Sequence, residues 1–141
     1  MKSLIAHIGI AVRDLNESIA KYRILTGGEP SETHTVADQM VKVAFFASDA
    51  DATGFPRIEL VAPDAPESPI TKFLDKRGEG LHHICLLVEN LEERLSELKA
   101  SGARLIDEKP RRGAEGDLIA FVHPESTGGV LIELQQVSSA S

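Results

Sequence analysis

Two near-continuous aliphatic stretches, each followed by a helical pattern, open the two halves of the chain. Residues 4–12 and 81–88 are rich in Ile, Val, Leu and Ala, a composition that predicts β-strands. Asp14 stands three positions before Glu17, which is the spacing of a helix capping box, and Asn90 holds the same place in the second half. Each half therefore begins with a strand that leads into a capped helix.

The two predicted helices carry apolar residues at helical spacing and end at glycine. The first stripe consists of Leu15, Ile19, Tyr22 and Leu25, and the second of Leu91, Leu95 and Leu98. Gly27 and Gly102 end these helices. Between the halves, Ser68 followed by Pro69 predicts a further short helix, because proline is favoured at the first helical position.

Shorter apolar runs after each helix predict the remaining strands. They cover 41–46, 57–61, 104–106, 118–122 and 130–135. Residues 29–38 are polar and predict a loop or a short strand, and 109–116 predict a charged loop. Each half therefore reads β-α-β-β-β.

The two halves are an internal repeat. When the chain is shifted by 76 residues, His7-Ile8 falls on His83-Ile84 and the two helix caps coincide. At the same shift, 43–45 falls on 119–121. The repeat predicts an α+β fold in which two paired βαβββ modules form a curved, cupped mixed sheet with the helices outside. We expect one domain over 1–141, with module 1 at about 4–62, a linker and short helix at 63–80, and module 2 at about 81–136.

Each half carries a histidine in its first strand and a glutamate in its last. His7 precedes Glu59 by 52 positions, and His83 precedes Glu133 by 50. Side chains alternate along a strand, so aliphatic neighbours that face the helices turn these four polar residues to the opposite face. The same parity leaves His82 on the aliphatic side. Buried imidazoles and carboxylates are costly unless they are paired.

A divalent cation would pair all four of these side chains. Nitrogen and oxygen ligands suit Zn, Co, Ni, Mn or Fe(II). We therefore expect His7, Glu59, His83 and Glu133 to hold one divalent metal ion.

Composition and charge restrict the partners. With 42% hydrophobic and 26% charged residues, the chain is typical of a globular protein, and no apolar run is long enough to span a bilayer. The formal charge of −7 argues against nucleic acid as a partner and requires a local basic patch for any anionic substrate. Cys85 is the single cysteine, which excludes an internal disulfide and suits a cytoplasmic location. We also expect no signal peptide, because a strand pattern begins at once.

Three stretches of the chain carry a family resemblance: Glu67-Ser68-Pro69-Ile70 through to Arg77-Gly78-Glu79-Gly80-Leu81-His82-His83-Ile84, then Leu105 to Arg111, then His123-Pro124-Glu125-Ser126-Thr127-Gly128-Gly129-Val130-Leu131-Ile132-Glu133-Leu134. In these stretches the sequence resembles the methylmalonyl-CoA epimerases of the vicinal oxygen chelate, or glyoxalase-like, superfamily. The resemblance spans most of the chain, and its second half is the more specific.

The resemblance implies a fold, a reaction and a set of partners. The family's metal positions fall on His7, Glu59, His83 and Glu133. The implied reaction is the interconversion of (R)- and (S)-methylmalonyl-CoA at C2, with a CoA thioester as substrate and a homodimer as assembly. Some members carry a glutamate in the middle strand of the first half as a proposed base, whereas this chain has Val43 there.

The mechanism that follows is a hypothesis about two carboxylates. Removing the C2 proton gives an enolate that a Lewis-acidic metal stabilises, and epimerisation returns the proton to the opposite face. Glu133 is our candidate for one base and Glu59 for the other. A carboxylate bound tightly to metal is a poor base, so one of the two must be loosely held.

Basic residues in two loops have two interpretations. Lys109, Arg111 and Arg112 belong to a solvated turn, or else they meet the phosphates of CoA. Lys76 and Arg77 have the same two interpretations: they are solvated, or they meet the phosphates of CoA.

Three other functions fit the same scaffold. A lactoylglutathione lyase would use the same ligands and an enolate intermediate. An extradiol dioxygenase would need two histidines, one carboxylate and open positions, so the fourth ligand Glu59 counts against it. A non-catalytic small-molecule binding protein would not need both histidines and both glutamates.

Overall fold

The computed structural model describes residues 4–47, 56–113 and 116–137, which fall into two compact units. The first unit is His7–His82. The second consists of the described residues within Met1–Ala6 and His83–Ser141. The strands are β1 (Leu4–Ala11), β2 (Glu32–Val36), β3 (Val41–Phe46), β4 (Arg57–Pro63), β5 (Gly80–Val88), β6 (Arg111–Arg112), β7 (Leu118–Val122) and β8 (Leu131–Gln136). The helices are α1 (Leu15–Thr26), α2 (Pro69–Arg77) and α3 (Leu91–Ala100), with 3-10 turns at Ala37–Gln39 and Pro124–Ser126.

The first unit is a mixed four-stranded sheet with a helix against one face. Its strand order is β2-β3-β4-β1, in which β1 runs parallel to β4 and the other pairs are antiparallel. The core on the helical face consists of Val12, Ile19, Ala44, Phe46, Leu60 and Ala62. Because these strand residues alternate with the predicted site residues, His7 and Glu59 lie on the other face.

The second unit repeats this arrangement. Its strand order is β5-β8-β7-β6, with β5 parallel to β8. The helix-facing core consists of Val88, Leu91, Leu95, Ala120, Val122 and Leu134. Both units therefore have the predicted β-α-β-β-β order.

Capping side chains begin the helices at the predicted residues. The Asp14 carboxylate accepts a hydrogen bond from the Glu17 N–H at 2.9 Å, and the Asn90 side chain accepts one from the Glu93 N–H at 3.0 Å. Ser68 caps α2 through Ile70 N–H at 3.2 Å. These bonds satisfy amide groups that have no partner inside the helix.

Two local predictions are wrong. No strand forms at 104–106; Leu105 makes only an isolated bridge to Val122. The N–H groups of Ile106 and Asp107 both donate to the Phe121 carbonyl, at 2.9 and 3.2 Å, so the ladder does not continue. The strand next to β7 is instead β6, inside the predicted loop 109–116.

The second wrong prediction concerns the stripe of α1. Leu25 is 73% exposed, although Ile19 in the same stripe is buried. Leu25 lies in the last turn of the helix, which ends at Thr26.

Two further findings bear on the expectations above. Cys85 forms no disulfide bond and is fully buried. Among the described residues, no helix combines the length and hydropathy needed to cross a bilayer.

Candidate functional site

A buried histidine–glutamate pair lies on the sheet face of the first unit that is opposite α1. His7 comes from β1 and Glu59 from the parallel strand β4. The His7 Nε2 atom is 3.4 Å from Glu59 Oε1, and their side chains are 4% and 8% exposed. The structure thus brings together two of the four predicted ligands.

The second unit contains the matching pair. His83 comes from β5 and Glu133 from β8, with His83 Nε2 3.3 Å from Glu133 Oε1. Both residues are more than nine-tenths buried. As in the first pair, a histidine Nε2 faces a glutamate Oε1 across two parallel strands, at nearly the same distance.

The donor set of each pair fits a divalent cation. Two donor atoms about 2.1 Å from one ion, at angles of about 90–109°, lie about 3.0–3.4 Å apart. The measured separations of 3.4 and 3.3 Å agree with this range. They are longer than a charge-assisted hydrogen bond between nitrogen and oxygen, which spans about 2.7–2.9 Å. Imidazole nitrogen with carboxylate oxygen suits Zn, Co, Ni or Mn.

A phenylalanine contacts each histidine, and an arginine lies over each phenylalanine. Phe45 meets His7 edge-on with ring centroids 5.5 Å apart, and the Arg57 guanidinium carbon is 4.0 Å from the Phe45 centroid. In the second unit, Phe121 meets His83 at 6.2 Å, and Arg111 lies 5.3 Å from the Phe121 centroid. In both units, therefore, a phenylalanine flanks the imidazole and is itself covered by an arginine.

The sequence reasoning missed Arg57. It lies on the same strand as Glu59 and two positions before it, so strand alternation places both side chains on one face. Arg57 Nη1 is 3.4 Å from Glu32 Oε2, and His34 Nε2 is 3.2 Å from the same carboxylate oxygen. The arginine of the first unit is thus held by an acidic partner.

Two further histidines lie outside the two pairs described above. His82, predicted on the aliphatic side of its strand, packs edge-on against Phe73 of α2 at 4.8 Å. His123 precedes a 3-10 turn, and its Nδ1 accepts the Glu125 N–H at 3.0 Å.

Val43 lies on the same sheet face of the first unit as Glu59 and offers no ionisable group. It is the register partner of Val61 on β4, while its neighbour Phe45 is the partner of Glu59. Val43 is 2% exposed. On this strand, therefore, nothing replaces the glutamate of other family members.

The comparison with known families agrees with this fold. The sequence profile of the Glyoxalase/Bleomycin resistance protein/Dioxygenase superfamily matches residues 6–121. The chain therefore belongs to this superfamily, as the resemblance predicted.

Within the superfamily, relatives of this chain are methylmalonyl-CoA epimerases, which are enzymes. A Cereibacter sphaeroides protein named ethylmalonyl-CoA/methylmalonyl-CoA epimerase is 38% identical over 133 residues, covering 93% of this chain and 96% of the relative. The human mitochondrial methylmalonyl-CoA epimerase is 37% identical over 131 residues, covering 92% and 72%.

A solved structure confirms the predicted fold class. A variant of the Streptomyces coelicolor methylmalonyl-CoA epimerase, in complex with 2-nitronate-propionyl-CoA, matches with a TM-score of 0.90 and 32% identity. The match covers 98% of this chain and 96% of that one. The glyoxalase-like fold therefore extends over nearly the whole chain.

Proposed function

We propose that this protein is a methylmalonyl-CoA epimerase that interconverts the R and S forms by removing and returning the C2 proton. The observation that carries the proposal is the repeated pair of buried histidine and glutamate, 3.4 Å apart in one unit and 3.3 Å in the other. The named relatives support the choice of substrate.

The proposal includes one divalent metal ion held by the four paired side chains, which are His7, Glu59, His83 and Glu133. When bound, the ion would act as a Lewis acid toward the substrate oxygens that gain charge as C2 loses its proton. The fit of both donor pairs to metal–ligand distances supports this part. Metal analysis of the purified protein distinguishes Co, Zn, Ni and Mn.

Two carboxylates carry the proton in this proposal. Epimerisation takes a proton from one face of C2 and returns it to the other, so two groups serve it most simply. We assign one transfer to Glu133 and the other to Glu59. Both are buried beside a histidine on the sheet face opposite the helices. Val43 offers no alternative base.

Proton exchange in D₂O tests the reaction directly. Metal-loaded protein is incubated with (S)-methylmalonyl-CoA, and deuterium at C2 is followed by NMR together with formation of the R epimer. We expect both to appear at rates proportional to enzyme concentration. A lactoylglutathione lyase or a binding protein would give neither, and this result would refute the proposal. Ethylmalonyl-CoA is a second substrate worth the same assay, given the name of the Cereibacter relative.

The assembly and location form a separate proposal. We propose a homodimer, with 1–141 acting as one domain, in the cytoplasm. Exposed apolar side chains such as Leu4 and Leu81 support association, and a buried Cys85 that forms no disulfide suits a reducing compartment. Light scattering coupled to size exclusion should give twice the 15.2 kDa chain mass.

A further inference from the structure

Arg111 is placed by its strand on the same sheet face as the histidine–glutamate pair of the second unit. It is the register partner of Ile119 on β7, two positions from Phe121, and Phe121 is in turn the partner of Glu133. Residues directly opposite one another in an antiparallel pair share a face. Arg112 pairs with Leu118 and so points to the opposite face.

Two contacts fix the orientation of the Arg111 side chain. Its Nε atom is 3.3 Å from Asp107 Oδ2, and its guanidinium lies over the ring of Phe121. Asp107 is itself fixed, because Oδ2 accepts the Phe121 N–H at 2.9 Å. Within the described part of the chain, the two terminal nitrogens of Arg111 have no hydrogen-bond partner. The guanidinium is thus held at its Nε atom, and its two terminal nitrogens are available to a ligand.

The matching arginine of the first unit, Arg57, contacts its carboxylate through a different nitrogen and is less exposed. Arg57 lies over Phe45, but its Nη1 pairs with Glu32 and its side chain is only 10% exposed. The Arg111 side chain is 40% exposed and contacts its carboxylate through Nε. Of the two arginines that flank the imidazoles, Arg111 is the one with donors available to a ligand.

The net charge of the protein indicates what the donors of Arg111 would bind. The protein has a formal charge of −7, so it repels an anionic substrate as a whole. A guanidinium presents two parallel N–H donors that match a carboxylate or a phosphate. Resting on the proposed function, we propose that Arg111 is a specificity-determining residue that binds anionic oxygens of the substrate, supplied either by the carboxylate of its malonyl group or by a phosphate of CoA.

Arg111→Gln is the test variant, and Arg112→Gln is its matched control. Both remove one charge from β6, but Arg112 faces away and its Nη1 donates to the Gly116 carbonyl at 2.7 Å. Losing a charge-assisted bidentate contact should weaken binding about 10- to 100-fold. We expect KM and the calorimetric Kd for methylmalonyl-CoA to rise by this factor in Arg111→Gln, with kcat much less affected and Arg112→Gln close to wild type.

Two further ligands distinguish the sources of the anion. Methylmalonyl-pantetheine has the carboxylate without phosphates, and propionyl-CoA has the phosphates without the carboxylate. If Arg111 binds the carboxylate, Arg111→Gln loses affinity for methylmalonyl-pantetheine but not for propionyl-CoA. If Arg111 binds a phosphate, the variant loses affinity for propionyl-CoA but not for methylmalonyl-pantetheine. Both results support the proposal.

Equal affinities in Arg111→Gln and Arg112→Gln for all three ligands would overturn it. So would a variant that loses only bound metal or thermal stability, because Arg111 would then act only through Phe121 and His83. Arg111→Lys keeps the charge but not the two-point geometry, so its affinity should be intermediate. This variant keeps the test decisive if the glutamine variant does not fold.

The binding measurements separate this proposal from the proposed reaction. A wild-type protein that binds methylmalonyl-CoA but exchanges no C2 proton would refute the epimerase assignment. The comparison of the arginine variants would still decide the role of Arg111.

Discussion

His83 reaches Glu133 diagonally across β5 and β8. Their nitrogen and oxygen atoms are 3.3 Å apart, yet the register partner of Glu133 is Cys85, two residues after His83. The first unit repeats this diagonal, because Gly9, two residues after His7, is the partner of Glu59. In both units the residue beside the glutamate is small, which leaves room for the carboxylate to lean toward the imidazole.

The size of residue 85 should therefore control how closely Glu133 can approach His83. Cys85 is fully buried, so Cys85→Leu would crowd Glu133 and cost about 1–3 kcal/mol of stability. We expect this variant to lose metal and C2 proton exchange, while Cys85→Ala keeps both. Metal analysis and the D₂O assay on the two variants measure this. Normal metal content in a folded Cys85→Leu protein would contradict the argument from size.

The two glutamates should differ in the epimer they serve. Because each is proposed to act on one face of C2, Glu133→Gln and Glu59→Gln should each slow interconversion by about 10²–10⁴-fold. One variant should retain deuterium exchange with the R epimer only, and the other with the S epimer only. NMR of each epimer in D₂O checks this. Full turnover by Glu133→Gln with metal bound would remove Glu133 from the mechanism.

Removal of a liganding histidine should abolish the response to metal. A ligand at 100 times its Kd stabilises the folded state by about 2.7 kcal/mol, which raises the melting temperature of a chain this size by roughly 10 °C. We expect such a rise for the metal-free wild type on adding metal, and little or none for His7→Ala or His83→Ala. His34→Ala is the control, since His34 pairs with Glu32 and is not one of the four proposed ligands. Calorimetric melting with and without chelator measures the effect. An equal rise in all four proteins would place the metal elsewhere.

The helix caps should contribute to stability without affecting the reaction. Asp14→Ala and Asn90→Ala each remove a bond to a helix N–H, which costs about 1 kcal/mol. Asp14→Ser keeps an acceptor at the same place and should stay near wild type. Urea unfolding gives the free energies, and the exchange rate at C2 should be unchanged. A loss of activity in folded protein would show that the caps do more than begin the helices.

Substituting a buried helix leucine should destabilise the protein strongly, whereas substituting an exposed one should have little effect. Leu91 is 0% exposed in the core beside α3, and Leu91→Ala should cost about 2–5 kcal/mol. Leu25 is 73% exposed, and Leu25→Ala should change the unfolding free energy by about 0.5 kcal/mol or less. If Leu25→Ala destabilises the protein as strongly, Leu25 must be covered in the assembled protein, and the effect should then depend on protein concentration.

Local sequence patterns were sufficient to predict the repeated β-α-β-β-β order, the helix starts, and the face on which each paired histidine and glutamate lies. These features follow from local periodicity and capping, which act over a few residues. A strand turns alternate side chains to opposite faces whatever its neighbour, so the aliphatic residues around Glu59 and Glu133 were enough to orient both carboxylates.

The contacts that depend on register and on strand neighbours could not be predicted from local patterns and follow from the folded chain. The diagonal approach of His83 to Glu133, the replacement of a strand at 104–106 by β6, and the position of Arg111 over Phe121 all depend on which residues pair across strands. That pairing is set by hydrogen bonds and packing between segments far apart in the chain, and no local pattern encodes it.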